Sequence, residues 1–138
     1  MAISREVHQI VAADGFGLRL TRIFQDDTPR GIPILMVHGA GVSSNIFCPP
    51  RPGDQQLQTM LAKAGFDVWN LDWRASIDLP PNHWTLDRAA VLDYPAVAAF
   101  ILDQTNQSEI RALIHCQGST SFMIALVAGL LPQVSVVI

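Results

Sequence analysis

Hydrophobic positions fall along this chain in short continuous runs rather than in strict alternation. Glu6–Val11 and Leu18–Phe24 are β-prone segments flanking Ala12-Ala13-Asp14-Gly15-Phe16-Gly17, and an Asp-Gly turn between two such runs predicts a hairpin. After the polar break Asp26–Gly31, Ile32 to Val37 is apolar, with Pro33 early enough for a strand to tolerate it. Such a run predicts an interior parallel strand, and Phe66–Leu71, Ile110–His115 and Gln133–Ile138 repeat the pattern. Helical stretches lie between them. Asp54 is the expected N-cap of a helix whose apolar positions Leu57, Met60, Leu61 and Ala64 share one face, with Gly65 closing it at C′. Pro49, Pro50 and Pro52 keep the preceding stretch irregular. Leu86–Leu102 predicts a second helix burying Ala90, Val97, Phe100 and Ile101, with a kink or restart at Pro95. Phe122–Leu131 is apolar all round, which predicts a fully buried helix stopped by Pro132.

A hairpin followed by alternating strands and helices is the α/β pattern, here one domain over residues 1–138 with a mostly parallel sheet. Composition narrows the classes of function. At 49% hydrophobic and 15% charged residues the chain does not resemble a disordered segment. A net charge of −3 argues against nucleic acid as a partner, because phosphate binding needs concentrated Lys and Arg. The longest apolar run is about half of the roughly 20 residues that span a bilayer, so no membrane span is expected. Two cysteines make no disulfide framework, and the N-terminus turns charged at Arg5-Glu6 before a signal-peptide core could form. Both point to a cytoplasmic protein. No metal or cofactor is called for.

Ligands of an open α/β sheet bind beyond the carboxyl ends of its strands, which selects the loops after Val37, Leu71 and His115. The third carries Ile114-His115-Cys116-Gln117-Gly118-Ser119, a nucleophilic side chain on a strand-to-helix turn with small neighbours on one side. Cys116 is either that nucleophile or an inert buried thiol. Ser119, a rival nucleophile, falls a turn into the helix and is better suited to capping or packing. Cys48 has no motif around it. Gly39-Ala40-Gly41 after a strand hints at a dinucleotide loop, but Ser44 stands where the third glycine belongs and Asp72 is too distant for the ribose. Asp72 and Arg74 read as a local pair at a strand end. Trp73, Trp84 and Tyr94 either line a substrate entrance or pack in the core.

Taken in order, His38-Gly39-Ala40-Gly41, Leu71-Asp72-Trp73-Arg74 and His115-Cys116-Gln117-Gly118-Ser119 resemble the front half of the α/β-hydrolase fold. The elbow is similar to Gly-x-Ser-x-Gly with Cys116 in the serine position, as in dienelactone hydrolases and polyhydroxyalkanoate synthases. Asp72-Trp73-Arg74-Ala75-Ser76 together with the elbow looks closest to hydrolase-like modules beside GMC-type, cholesterol-oxidase-like flavin oxidoreductases, although this chain has no flavin-binding fingerprint.

The resemblance implies that Cys116 attacks the carbonyl of a small ester or thioester, with the backbone N–H groups of Gln117 and Ala40 forming the oxyanion hole. Gly39, Gly41 and Trp73 are the implied substrate-binding positions, and His38 shapes the loop. Ile114 stands where the family prefers a small residue. The resemblance also places the triad's acid and base histidine after later strands, so the domain reads as incomplete after the strand that follows the nucleophile helix. Among the histidines present, His83 is the candidate substitute base; His115 points to the opposite face from its neighbour, and His8 sits in the hairpin. An acyltransferase of the polyhydroxyalkanoate synthase type and a non-catalytic chain acting by association are the alternatives. For the latter, an apolar final strand would leave a sheet edge that invites homo-oligomers.

Overall fold

A computed structural model of the chain describes residues 2–49 and 56–138. The chain runs β1 (Ile3–Val11), β2 (Gly17–Gln25), β3 (Pro33–Val37), a 3₁₀ turn (Ser44–Phe47), α1 (Leu57–Lys63), β4 (Asp67–Asp72), α2 (Leu86–Thr105), β5 (Ile110–Ile114), α3 (Gln117–Val127) and β6 (Val134–Val137). The strands form one sheet in the order β1-β2-β4-β3-β5-β6. β1 and β2 pair antiparallel, as does β2 with β4, while β4, β3, β5 and β6 run parallel. The expected hairpin and parallel sheet are both present. The turn closes through Ala12 N–H donating to Phe16 O at 2.9 Å, with Gly15 at φ +86°.

Both faces of the central strands are covered, which is why β3 reads as an unbroken apolar run. Leu18, Leu20, Leu35, Val37, Trp69 and Leu71 pack under α2 and α3, against Tyr94, Val97, Ile101 and Phe122. On the opposite face Ile23, Ile34, Met36 and Val68 meet Phe47 and Ala62.

Several expectations need correction. α1 does not bury the stripe Leu57, Met60, Leu61 and Ala64: it turns Gln58, Thr59 and Ala62 inward and leaves Leu57 and Met60 exposed. The cause lies in the sheet, where β4 presents Asn70 beside Val68 to this helix and the Asn70 side-chain amide meets that of Gln58 at 3.2 Å. The expected cap Asp54, with Pro50 and Pro52, lies outside the described residues; Gly65 does end the helix, at φ +94°.

α2 runs through Pro95 without restarting. The bond lost there belongs to the carbonyl of Val91, an exposed residue, so solvent can take it. Ala90, Val97 and Ile101 are buried as expected, and Phe100 partly so.

α3 begins earlier than predicted and is buried on one face only, through Gly118, Ser121, Phe122 and Ala125. Met123 and Val127 are exposed and, with Thr120, Ile124 and Ala128, line an open apolar groove. β6 is an edge strand, with Val136 and Val137 exposed. No helix among the described residues is long and apolar enough to cross a membrane.

Candidate active site

β3 and β5 are parallel neighbours, and their carboxyl ends are tied by His115 N–H donating to Val37 O at 3.0 Å. The chain then reverses into α3 through Cys116, whose backbone sits at φ 55° and ψ −127°. A non-glycine residue at positive φ outside a turn is strained, and such strain collects at functional sites. Cys116 is exposed, so the inert buried thiol is excluded.

Two glycines permit the bend. A methyl group on Gly118 would overlap the His38 carbonyl and come within 3.0 Å of Val37 Cγ1. One on Gly39 would sit 2.9 Å from Cys116 Cβ and 3.3 Å from His115 Nδ1. The elbow after β5 therefore meets the loop after β3 at that loop's backbone, through Gly118 on His38, and at Gly39 the loop meets the side chains of Cys116 and His115, approaches that a Cβ at either glycine would block.

Ala40 and Gln117 occupy the two sides of this junction. Gln117 is the first residue of α3, so its N–H has no intrahelical acceptor. Neither it nor the Ala40 N–H is used in a backbone hydrogen bond among the described residues. Gly41 takes φ +70°, which carries the loop onward to Ser43 and the 3₁₀ turn.

Buried polar groups hold that loop in place. Trp73 Nε1 donates to His38 O at 2.9 Å, and the two rings stack at 5.7 Å. Trp73 is fully buried, so it fixes the loop from below and does not line an entrance; Tyr94 is buried as well. His38 Nδ1 donates to Gly39 O at 2.6 Å, which leaves Nε2 as the bare nitrogen, 3.9 Å from Asp72 Oδ1. Burial pushes the His38 imidazole below its ordinary value, against the opposing pull of Gly39 O and Asp72. It shapes the loop, as expected of it.

Asp72 is not paired with Arg74. Its carboxylate accepts from Ser44 N–H at 2.9 Å, Ser44 Oγ at 2.7 Å, Ser76 Oγ at 2.8 Å and Arg19 Nε at 3.0 Å. Burial would raise this carboxyl, but the Ser44 and Ser76 bonds and Arg19 outweigh it and hold it below its ordinary value. Asp72 thereby locks the loops after β3 and β4 together, helped by Ile77 N–H donating to Val42 O at 3.0 Å. Ser44, Ser76 and Arg19 were missed in the sequence; the available signal was a hydroxyl residue shortly after each of two strand ends. Arg74 instead reaches Asp93 on α2, at 2.7 Å, and Asp14 in the hairpin turn, at 2.9 Å.

His83 is exposed in the loop before α2 and forms no hydrogen bond to Cys116 among the described residues. Ser119 lies within α3, its N–H donating to Cys116 O at 3.0 Å.

A family model described as alpha/beta hydrolase fold matches residues 32–133, from β3 to the start of β6. The chain belongs to the α/β-hydrolase fold family. Its relatives include a tear acid lipase-like protein of Mesocricetus auratus, 31% identical over 131 residues that cover 83% of this chain and 32% of that protein. Human gastric triacylglycerol lipase is 28% identical over 136 residues, covering 87% of this chain and 34% of the lipase. This α/β-hydrolase chain thus spans about a third of the length of these curated relatives.

Among solved structures, an esterase from Exiguobacterium antarcticum superposes with TM-score 0.70 at 18% identity, covering 96% of this chain and 44% of that one. Brefeldin A esterase, described as a bacterial homologue of human hormone sensitive lipase, gives 0.67 at 15%, covering 98% and 38%. These establish the fold.

Proposed function

We propose that this α/β-hydrolase chain supplies the nucleophile and oxyanion half of an ester hydrolase, with Cys116 as the nucleophile. The observation that carries the reading is the exposed Cys116 at positive φ, on a bend that Gly39 and Gly118 alone make passable. The lipase names of its relatives support an ester as the substrate class.

In the first step the Cys116 sulfur attacks the ester carbonyl carbon. A C–S bond forms, the carbonyl oxygen takes negative charge, and the N–H groups of Ala40 and Gln117 stabilise it. Collapse breaks the C–O bond, and the departing alkoxide takes up the proton given up by the thiol. The product is a thioester on Cys116. Hydrolysis of that thioester needs a base to activate water. No histidine among the described residues bonds to Cys116, so the first step can proceed here without the second.

An activated aryl ester tests the scheme. One equivalent of phenol should be released in a burst, followed by little turnover, and Cys116→Ala should abolish the burst. Steady turnover lost in His83→Ala would instead make His83 the base. Silence of both proteins toward ester would overturn the reading.

A second reading is association through β6. Its exposed Val136 and Val137 lie on an edge strand carrying no charged residue, whereas the opposite edge, β1, carries Arg5 and Glu6. A second copy is the proposed partner. Sedimentation of the wild type and Val136→Lys decides it: a dimer that the lysine dissolves supports association, and a monomer throughout rules it out.

A further inference from the structure

Strand alternation would send His115 and Cys116 to opposite faces, but that alternation ends at Cys116. Its φ of 55° lies outside the extended range in which neighbours alternate. The thiol comes round to the side of its predecessor, and the space above Gly39 shows it. The point where a Cβ of Gly39 would stand lies 3.3 Å from His115 Nδ1 and 3.5 Å from Cys116 Sγ. A ring nitrogen and a thiol thus border one gap, which exists because residue 39 has no side chain.

Both groups are at liberty to use that gap. His115 and Cys116 are exposed, and neither side chain has a hydrogen-bond partner among the described residues. The remaining histidines are placed differently. His8 stacks on Trp69, and His38 is fully buried with Nδ1 committed to Gly39 O at 2.6 Å. His83 stands in the loop before α2.

We infer, on the reading of Cys116 as the nucleophile, that His115 is the proton carrier of the acylation step. Nδ1 takes the thiol proton as the C–S bond forms, and gives it to the leaving oxygen as the C–O bond breaks. Ester and thiol become thioester and alcohol, and the ring ends in the state in which it began. Catalytic hydrogen bonds are often open in the free protein and tighten when substrate binds. Rotation of the exposed His115 ring across the gap makes that closure here. The proton matters most for a basic leaving group: an alkoxide departs with difficulty as the anion, whereas 4-nitrophenolate departs readily.

Leaving-group dependence therefore tests the assignment. Wild type and His115→Gln are acylated with 4-nitrophenyl butyrate and with phenyl butyrate, and the thioester on Cys116 is followed by intact mass. His115→Gln should slow the phenyl ester at least about tenfold more than the nitrophenyl ester, because phenolate is the more basic leaving group. His115 is exposed, so its replacement should leave the fold in place. A merely structural role would slow both esters by the same factor; that result, or wild-type rates with both, would overturn the proposal. A wild type that forms no thioester with either ester would show instead that Cys116 is not the nucleophile, and the proton carrier would fall with it.

Discussion

Gly118 lies directly beneath the carbonyl oxygen of His38, so that the first turn of α3 rests on the backbone of the loop after β3. A Cβ at Gly118 would overlap that oxygen, and neither partner is a flexible side chain that could move aside. Gly118→Ala should therefore destabilise the fold by about 1–3 kcal/mol or more, as overpacking of a tight contact does. Urea denaturation measures this. It should also slow the aryl-ester burst, since the substitution pushes α3 and the Ala40 loop apart. A variant with unchanged midpoint and burst would show that the contact is not tight.

Strain at the elbow makes a second prediction, one that opposes stability to function. Cys116 holds φ 55°, which costs a residue with a Cβ on the order of 1–3 kcal/mol and costs glycine little. Cys116→Gly should be more stable than Cys116→Ala by about 1–2 kcal/mol in chemical denaturation, despite glycine's looser unfolded chain. Both variants lack the sulfur, so the comparison isolates the backbone. Equal stabilities would mean that the elbow is relaxed.

Much of the fold was legible in the primary structure because each face of each parallel strand is covered, so β3 and its neighbours announce themselves as apolar runs. The strand-to-helix bend at Cys116 was legible because a small residue at a strand end with Gly118 and Ser119 just after it is a local pattern. The partners of charged residues were not. Asp72 and Arg74 are two apart in a strand end, yet they diverge to Ser44 and Arg19 on one side and to Asp93 and Asp14 on the other, sequence separations that only the packed sheet closes. The face of α1 failed for a related reason. Its apolar spacing pointed one way, but the polar lane at Asn70 drew Gln58 inward. α3 failed differently: helical hydrophobicity does not say how many of its faces find a partner, and here Met123 and Val127 find none among the described residues.

Arg74 and Asp93 form an almost fully buried pair, with exposures of 2% and 0%. Burial pushes the Asp93 carboxyl up, against the pull of the guanidinium. Removing one member strands the other charge. Arg74→Met should cost about 3–5 kcal/mol, whereas Arg74→Met combined with Asp93→Leu should recover a substantial part of that loss. A double variant as unstable as the sum of the two singles would show that the pair is not coupled.

Asp14 contributes to the same arginine from the rim of the hairpin, and its effect should appear as a pH dependence. The Arg74 hydrogen bonds hold its carboxyl at about 2, down from an ordinary 3.8. The folded chain thus releases this proton more readily than the unfolded chain does. Stability from Asp14 is fully present above pH 3.8 and is lost as pH falls toward 2, because protonation of the folded state is then forced. Asp93 works in the opposite direction, its raised folded value favouring the folded state as acid is added, so the wild-type profile alone is a composite. The difference between wild type and Asp14→Asn cancels all of the Asp93 contribution except the smallest of its causes, the part of its rise that the Asp14 charge itself supplies. Melting temperatures should place the wild type above Asp14→Asn from pH 5 to 7, with the gap narrowing between about pH 4 and 2. A gap that stays constant across that window would show that the Asp14 carboxylate is not held by Arg74 in solution.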